Sequence, residues 1–143
     1  MGASVVAYWP GITKEQIYSQ PGFYNDCKAW GNWMAEREEV PSVLDAIKKL
    51  SAEAILTFKT DGMDDEDVSW VTPDQLAEAA AKLRQAVQLG MPEIGIILET
   101  YERNANNVEP AAEEFIRDLD DIIDLARWAQ AEGAKRITLE VNW

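Results

Sequence analysis

The most acidic stretch of the sequence, DGMDDED at residues 61–67, is the first place where side chains could do chemistry. Its carboxylates suit three roles: metal ligands, a contact surface for a basic partner, or a solvated turn. A calcium loop of the EF-hand type needs acids at alternating positions before its glycine and a glutamate at its twelfth position. Gly62 instead precedes most of the acids, so no metal site is predicted. The candidates for partner binding in this stretch are Asp61, Asp64, Asp65, Glu66 and Asp67.

Composition removes most of the usual catalytic machinery. The chain has no histidine, so it lacks the common general base near neutral pH and the commonest metal ligand. The single cysteine, Cys27, is too few for a structural zinc site and suits a core position better than a reactive one. No glycine-rich phosphate loop is present, and among 26 acids a chance carboxylate pair identifies no glycosidase. We therefore predict no catalytic, cofactor-binding or metal-ligating residue; whether the chain is an enzyme stays open, with the balance against it.

A second group of acids lies in the long helix predicted for residues 110–132. Apolar residues recur there at three- and four-residue spacing, which is typical of a helix that buries one face. The acids are expected on the opposite, exposed face, where like charges four residues apart repel each other. The acids either attract a basic partner in spite of this repulsion, or have no such role and the packing of the apolar stripe offsets the loss of stability. The expected exposed acids are Glu113, Glu114, Asp118, Asp120, Asp121 and Asp124, of which Asp118, Asp121 and Asp124 are the candidates for partner binding.

Trp30 and Trp33 are the remaining candidates for partner binding. They lie one helical turn apart and follow the Pro-Gly pairs at 10–11 and 21–22, so they could line a groove for a sugar or a peptide. Tryptophan is also a residue that protein interfaces favour. The alternative is that both rings fill the core beneath an irregular segment.

Strand and helix patterns alternate along the chain, which favours a layer of helices packed on a sheet. Strands are predicted over 3–9, 52–60, 93–101 and 137–142, although Ala52 and Glu53 at the start of the second range are also compatible with a helix. A short return strand over 68–72 would make the acidic stretch a hairpin tip. Helices are predicted over 13–19, 25–39, 43–50, 73–89 and 110–132. The predicted fold is a single α/β or α+β domain over residues 1–143, with a small mixed, partly parallel sheet of about four strands.

Charge and hydropathy limit the partners and the compartment. The net charge of −13 repels nucleic acid and anionic membranes, so a macromolecular partner is expected to be a basic protein. No apolar run approaches the roughly 18 residues that span a bilayer, and the amino terminus has no basic region of a signal peptide. A single cysteine suits a reducing compartment. We expect a soluble cytoplasmic protein that binds neither nucleic acid nor membrane; the sequence indicates no oligomeric state.

These observations favour a non-catalytic acidic binding or inhibitory protein that occupies a basic partner surface. Immunity proteins against nuclease toxins offer a class analogy in size, charge and lack of catalytic machinery. The second hypothesis is a small-molecule-binding, carbohydrate-binding or enzymatic domain that uses the aromatic N-terminal segment and a carboxylate pair. The third is an accessory domain of unknown function. A toxin-like reading frame beside the gene would favour the first hypothesis, and an operon of metabolic enzymes the second.

Overall fold

The computed structural model describes residues 4–21, 30, 33, 40–60, 62–103 and 110–142. The helix predicted over 25–39 lies outside these residues except for Trp30 and Trp33, whose backbone is helical. Cys27 and Asp61 also lie outside them. The elements in chain order are β1 (Ser4–Tyr8), α1 (Lys14–Tyr18), α2 (Pro41–Lys49), β2 (Lys59–Thr60), α3 (Pro73–Leu89), α4 (Ile94–Glu102), α5 (Ala111–Ala131) and β3 (Thr138–Asn142). Two 3₁₀ turns, Glu53–Leu56 and Asp65–Asp67, flank β2.

The described strands form one mixed sheet in the order β1-β3-β2, which confirms the predicted fold class with three strands instead of four. Strand β3 is central: it pairs with β1 antiparallel and with β2 parallel. The register places Tyr8 opposite Thr138, and Lys59 opposite Glu140. The strand predicted over 137–142 is therefore confirmed, and it pairs with the first strand of the chain.

Local sequence signals set the boundaries of several helices. Thr13 and Thr72 each accept a hydrogen bond from the backbone of a glutamine three residues on, and that glutamine's side chain accepts in return from the backbone of the threonine. These two capping boxes satisfy donors that would otherwise lack partners at the starts of α1 and α3. Helix α3 ends at Gly90, whose φ of 65° is left-handed backbone that glycine adopts without strain. Helix α5 also follows its predicted range, whereas α2 begins two residues before its predicted start, because Pro41 suits the first position of a helix.

The segment 93–101 is a helix, α4, and the prediction of a covered strand there is wrong. Its apolar run shows no alternation, and such a run is compatible with either a buried strand or a buried helix. The structure buries Ile94, Ile97 and Tyr101, which fall on one side of a helix at three- and four-residue spacing. Gly95 and Glu99 on the other side are exposed. Packing against the neighbouring helices α2 and α5 therefore decides the conformation.

The region around the acidic stretch also differs from the prediction. Four of the nine residues predicted as a strand over 52–60 form the 3₁₀ turn Glu53–Leu56, and only Lys59–Thr60 pairs with β3. Val71 forms a single antiparallel bridge with Ile137, so it pairs with the segment leading into β3 and not with β2. Residues 62–67 thus form a turn between two segments that lie alongside the last strand, and they are not the tip of a hairpin.

The two faces of the sheet have different environments. Helices α3 and α5 pack together, and their buried residues form one apolar cluster with Val5, Ala7 and Leu139 of the sheet. Side chains one position along each strand point to the opposite face. We call this opposite surface the polar sheet face, defined by Tyr8, Lys59, Trp70, Arg136 and Glu140.

The outer edge of β1 is covered by a side chain. The Gln20 amide donates to the Ala7 carbonyl at 3.0 Å and accepts from the Ala7 backbone N–H at 2.8 Å. Gln20 is buried, so its amide takes the place of a further strand at this position. Satisfying these backbone groups hinders pairing with another chain at this edge.

Candidate functional site

The acidic turn, which we define as residues 64–67, is held against the polar sheet face at its start. Gly62 has a φ of 88°, which lets the chain reverse direction after β2. Lys59 donates from its ammonium group to the Met63 carbonyl. Asp65–Asp67 then form a single 3₁₀ turn, closed by the Asp67 N–H donating to the Asp64 carbonyl at 2.9 Å. The turn therefore has a defined backbone and is not an irregular loop.

Asp65 fixes the turn to two aromatic side chains. The Tyr8 hydroxyl lies 3.3 and 3.4 Å from the two carboxylate oxygens of Asp65, to which it donates. The Trp70 indole N–H donates to the Asp65 carbonyl at 3.2 Å. Burial, followed by the charge and hydrogen bond of Asp65 and the charge of Glu140, raises the pKa of the Tyr8 phenol. Tyr8 therefore keeps its proton at neutral pH and remains a donor to Asp65.

Aromatic rings and cations pack together beside this contact. The Tyr8 and Trp70 rings lie 6.1 Å apart, centroid to centroid. The Arg136 guanidinium carbon is 4.9 Å from the centre of the Trp70 ring, and the Lys59 nitrogen is 5.7 Å from the centre of the Tyr8 ring. Such cation–π contacts contribute about 0.5–1 kcal/mol each at exposed sites. The polar sheet face is thus a packed surface whose side chains hold each other in place.

The remaining carboxylates of the acidic turn point to solvent. Asp64, Glu66 and Asp67 are exposed and form no ion pair within the part of the chain that the structure describes. Asp61 is outside that part. Within the same ranges, no group of three or more His, Cys, Asp or Glu side chains is placed to hold a metal ion. The turn therefore presents three unpaired negative charges on an ordered backbone.

The acids of α5 are distributed differently from the prediction. Glu114 is buried and Asp118 is only partly accessible, so the expectation that both lie on the exposed face is wrong. Asp118 accepts a hydrogen bond of 2.5 Å from the Tyr101 hydroxyl of α4. The pKa of Asp118 is raised to about 7, mainly by burial and also by the charges of Asp121 and Glu114, although the Tyr101 hydrogen bond and Arg117 oppose the rise. The physical reason is that α4 packs over this side of the helix.

The neighbouring acids of α5 are partly engaged within the protein. Asp120 forms an ion pair with Arg84 of α3 at 2.8 Å. Asp121 is half-buried, and burial, with the charges of Asp124 and Asp120, raises its pKa while Arg117 opposes the rise. Asp124 is exposed. Of the three candidates on this helix, only Asp124 has the exposure that a contact surface needs.

Trp30 and Trp33 lie in the core, at 1 % and 0 % exposure. Their rings are 5.0 Å apart, and both pack against Phe115 of α5. The Trp33 indole N–H donates to the Thr100 hydroxyl at 2.9 Å. This is the position that the core interpretation gives them, and the structure does not bring them to the acidic turn.

The residues that support the acidic turn are not among those that sequence patterns indicate as candidates. Tyr8, Trp70 and Arg136 are far apart in sequence and come together only through pairing with β3. One signal was available: Ile137 and Leu139 alternate with polar residues, so Arg136 and Glu140 had to share the face opposite the core. The alternation therefore predicts that Arg136 and Glu140 share a face of the sheet, but it does not predict which segments pair beside them.

Trp70 borders two shallow concavities in the surface. The first, of about 450 Å³, lies between the 3₁₀ turn Glu53–Leu56 and the start of α3, and Glu53, Gln75 and Glu78 line it together with Trp70. The second, of about 410 Å³, lies beside the acidic turn and is lined by Asp65, Glu66 and Arg136 together with Trp70. Trp70 is the residue common to both.

Fold and site together define a small α/β domain with a three-stranded mixed sheet and an acidic turn fixed to its polar face. Comparison of the chain with protein-family models, curated proteins and solved structures finds no match. Within the described ranges, none of the helices has the length and apolar character needed to cross a membrane.

Proposed function

We propose that the protein is a non-catalytic binding or inhibitory protein whose acidic turn occupies a basic surface of a partner protein. The observation that carries the proposal is the arrangement of Asp64, Glu66 and Asp67. All three are exposed and unpaired in the described part of the chain, on a turn whose Asp65 is held through its side chain by Tyr8 and through its carbonyl by Trp70. Like charges held close together repel, so they gain when an opposite charge approaches.

The order of the turn, like its charge, favours affinity for a partner. Binding through a flexible loop loses free energy to the ordering of that loop, whereas a loop already held in place loses less. The hydrogen bonds to Asp65 and Met63 give the turn this order before a partner arrives. The net charge of −13 adds long-range attraction, which raises association rates with a basic partner.

The surroundings of the turn also suit a protein interface. Tyr8 and Trp70 are half-buried aromatic residues with charged residues around them. Interfaces are enriched in tyrosine, tryptophan and arginine, and these residues contribute much of the binding energy. An immunity-type protein, which blocks a basic toxin, is one member of the class. A cytoplasmic location belongs to the same proposal, since a single cysteine suits a reducing compartment.

A small-molecule or carbohydrate-binding function is the second candidate, favoured by the first concavity. One aromatic ring and two carboxylates, those of Glu53 and Glu78, line it. The aromatic N-terminal segment gives this candidate less support, because Trp9, Trp30 and Trp33 are all buried. An accessory domain without a contact of its own is the third candidate, and it needs no exposed charged turn.

Capture of a partner by matched variants tests the proposed function. The immobilised full chain is exposed to an extract of the source cells at low salt, beside the variants D64N/E66Q/D67N and E15Q/E102Q/E132Q. Both variants lose three exposed negative charges, but only the first loses them from the turn. We expect the native chain and the second variant to retain the same basic protein, and the first to lose it. Equal retention by both variants would contradict the proposal.

A further inference from the structure

Trp70 is held in one orientation by three contacts. Its indole N–H donates to the Asp65 carbonyl, its ring packs on Tyr8, and Arg136 lies over the ring at 4.9 Å. Arg136 lines the second concavity and is absent from the lining of the first. Trp70 therefore borders the first concavity at a place that Arg136 does not line. A ligand in that concavity would meet a tryptophan whose ring is held in one orientation.

The first concavity has negative charge at its rim. Glu53 is exposed and forms no ion pair in the described part of the chain. Glu78 pairs with Lys82 at 3.4 Å, and Lys82 also donates to the Ser51 carbonyl at 3.2 Å. Lys82 thus neutralises one of the two carboxylates and leaves the other uncompensated. The concavity is consequently suited to one positive charge.

An aromatic wall with a carboxylate at its rim matches a particular cation. The guanidinium group of arginine is planar, stacks on indole rings and donates several hydrogen bonds to carboxylates at its edge. A contact of the same kind exists within the protein, since the Arg136 guanidinium lies over the Trp70 ring. The ammonium group of lysine is more strongly hydrated and cannot stack in this way.

We propose that the first concavity binds one arginine side chain of the basic partner, with its guanidinium on Trp70 and its N–H groups toward Glu53. The inference rests on the proposed function for the source of that side chain, and it adds the chemistry by which the partner is recognised. The acidic turn then attracts a basic surface, while the concavity beside it selects arginine within that surface.

A titration of the full chain with short peptides tests the inference without the partner. The probes are Ac-Ala-Arg-Ala-NH₂ and the same peptide with citrulline, which has the shape of arginine but no charge. The readout is the indole N–H resonance of Trp70 in ¹⁵N–¹H spectra. We expect a saturable change with arginine, with a dissociation constant in the millimolar range for a single side chain. The citrulline peptide should bind at least about tenfold more weakly, because both cation–π attraction and ion pairing are lost.

Matched variants connect the response to the concavity. Glu53→Gln should weaken binding of the arginine peptide about threefold, as expected for loss of one exposed ion pair. Glu102→Gln removes an exposed carboxylate from the end of α4 and should leave the binding unchanged. Glu53 lies on the surface of a short 3₁₀ turn, so its substitution is expected to preserve the fold.

The outcomes separate the inference from the proposed function. If the arginine peptide shifts the amides of residues 64–67 but not the Trp70 indole, the arginine site is wrong and the acidic contact surface stands. If the Trp70 indole responds as expected but partner capture is insensitive to the turn, the proposed function is wrong and the arginine site stands. Equal binding of the arginine and citrulline peptides, or no response of the Trp70 indole at all, overturns the inference.

Discussion

Replacing Asp118 by asparagine is expected to stabilise the protein at neutral and alkaline pH. Asp118 is largely buried between α4 and α5, where the charged carboxylate is poorly solvated. The asparagine has nearly the same shape, and its carbonyl oxygen can still accept from the Tyr101 hydroxyl. The substitution therefore removes a buried charge while it keeps the hydrogen bond, and its effect reports on the charge.

The magnitude follows from the pKa of this carboxyl. Its rise from 3.8 to about 7 corresponds to about 4 kcal/mol, at roughly 1.4 kcal/mol for each pKa unit. Between these two values the folded state binds more protons than the unfolded chain, so the free energy of unfolding falls as the pH rises. Above pH 7 the whole loss is present, and below about pH 4 it vanishes. We expect Asp118→Asn to recover about 2–4 kcal/mol at pH 8, the lower value allowing for residual solvent screening.

Urea unfolding of both proteins from pH 4 to pH 8 measures this difference directly. The gain in stability should grow with pH across the interval and level off above pH 7. Asp124→Asn on the same helix is the control; Asp124 is exposed, so its substitution should change stability by less than about 0.5 kcal/mol at every pH. A difference for Asp118→Asn that does not change with pH, or a variant less stable than the native protein at pH 8, would refute the reasoning.

Three further predictions concern the same contacts and the sheet. Tyr101→Phe removes the hydrogen bond that favours ionised Asp118, so urea unfolding should show a loss of about 1.5–3 kcal/mol at pH 8 and a smaller loss at pH 4; equal losses would exclude this role. Tyr8→Phe removes a contact to Asp65, so amide exchange in residues 64–67 should accelerate while exchange in α3 stays unchanged; no acceleration would show that other contacts hold the turn. Deletion of residues 137–143 removes the central strand together with the buried side chains of Ile137, Leu139 and Val141. Each buried side chain contributes roughly 1.5–3 kcal/mol, against a total stability of about 5–15 kcal/mol, so calorimetry should show no cooperative transition. A native-like transition would show that the strand is dispensable.

Local signals in the sequence were enough to predict the elements that depend on local chemistry. Thr72 and Pro73 specify the start of α3 through a capping box and a fixed φ, whatever the helix packs against. The alternation of Ile137 and Leu139 with polar residues likewise predicts β3. In both cases the residues that determine the element lie within it or directly beside it in the sequence.

Elements whose character depends on distant packing were not predictable in this way. The apolar run of 93–101 fits a strand or a helix, and only contact with α2 and α5 selects the helix. The position of Asp118 in the helical pattern predicts exposure to solvent, but Tyr101 of α4 covers it in the fold. For the candidate site, the charge of the acidic turn was evident, but its attachment to Tyr8 and Trp70 arises from sheet pairing that no local pattern encodes.

The salt dependence of association tests most directly the proposal that the acidic turn contacts a basic partner. Stopped-flow measurements would compare the native chain, D64N/E66Q/D67N and E15Q/E102Q/E132Q against the partner retained in the capture experiment. At low salt the turn variant should associate about tenfold more slowly than the native chain, with a flatter dependence on salt concentration, because the charges nearest the contact dominate steering. The second variant has the same net charge and should be slowed much less. Equal rates and equal salt dependence for the two variants would contradict the claim, because net charge alone would then account for the association.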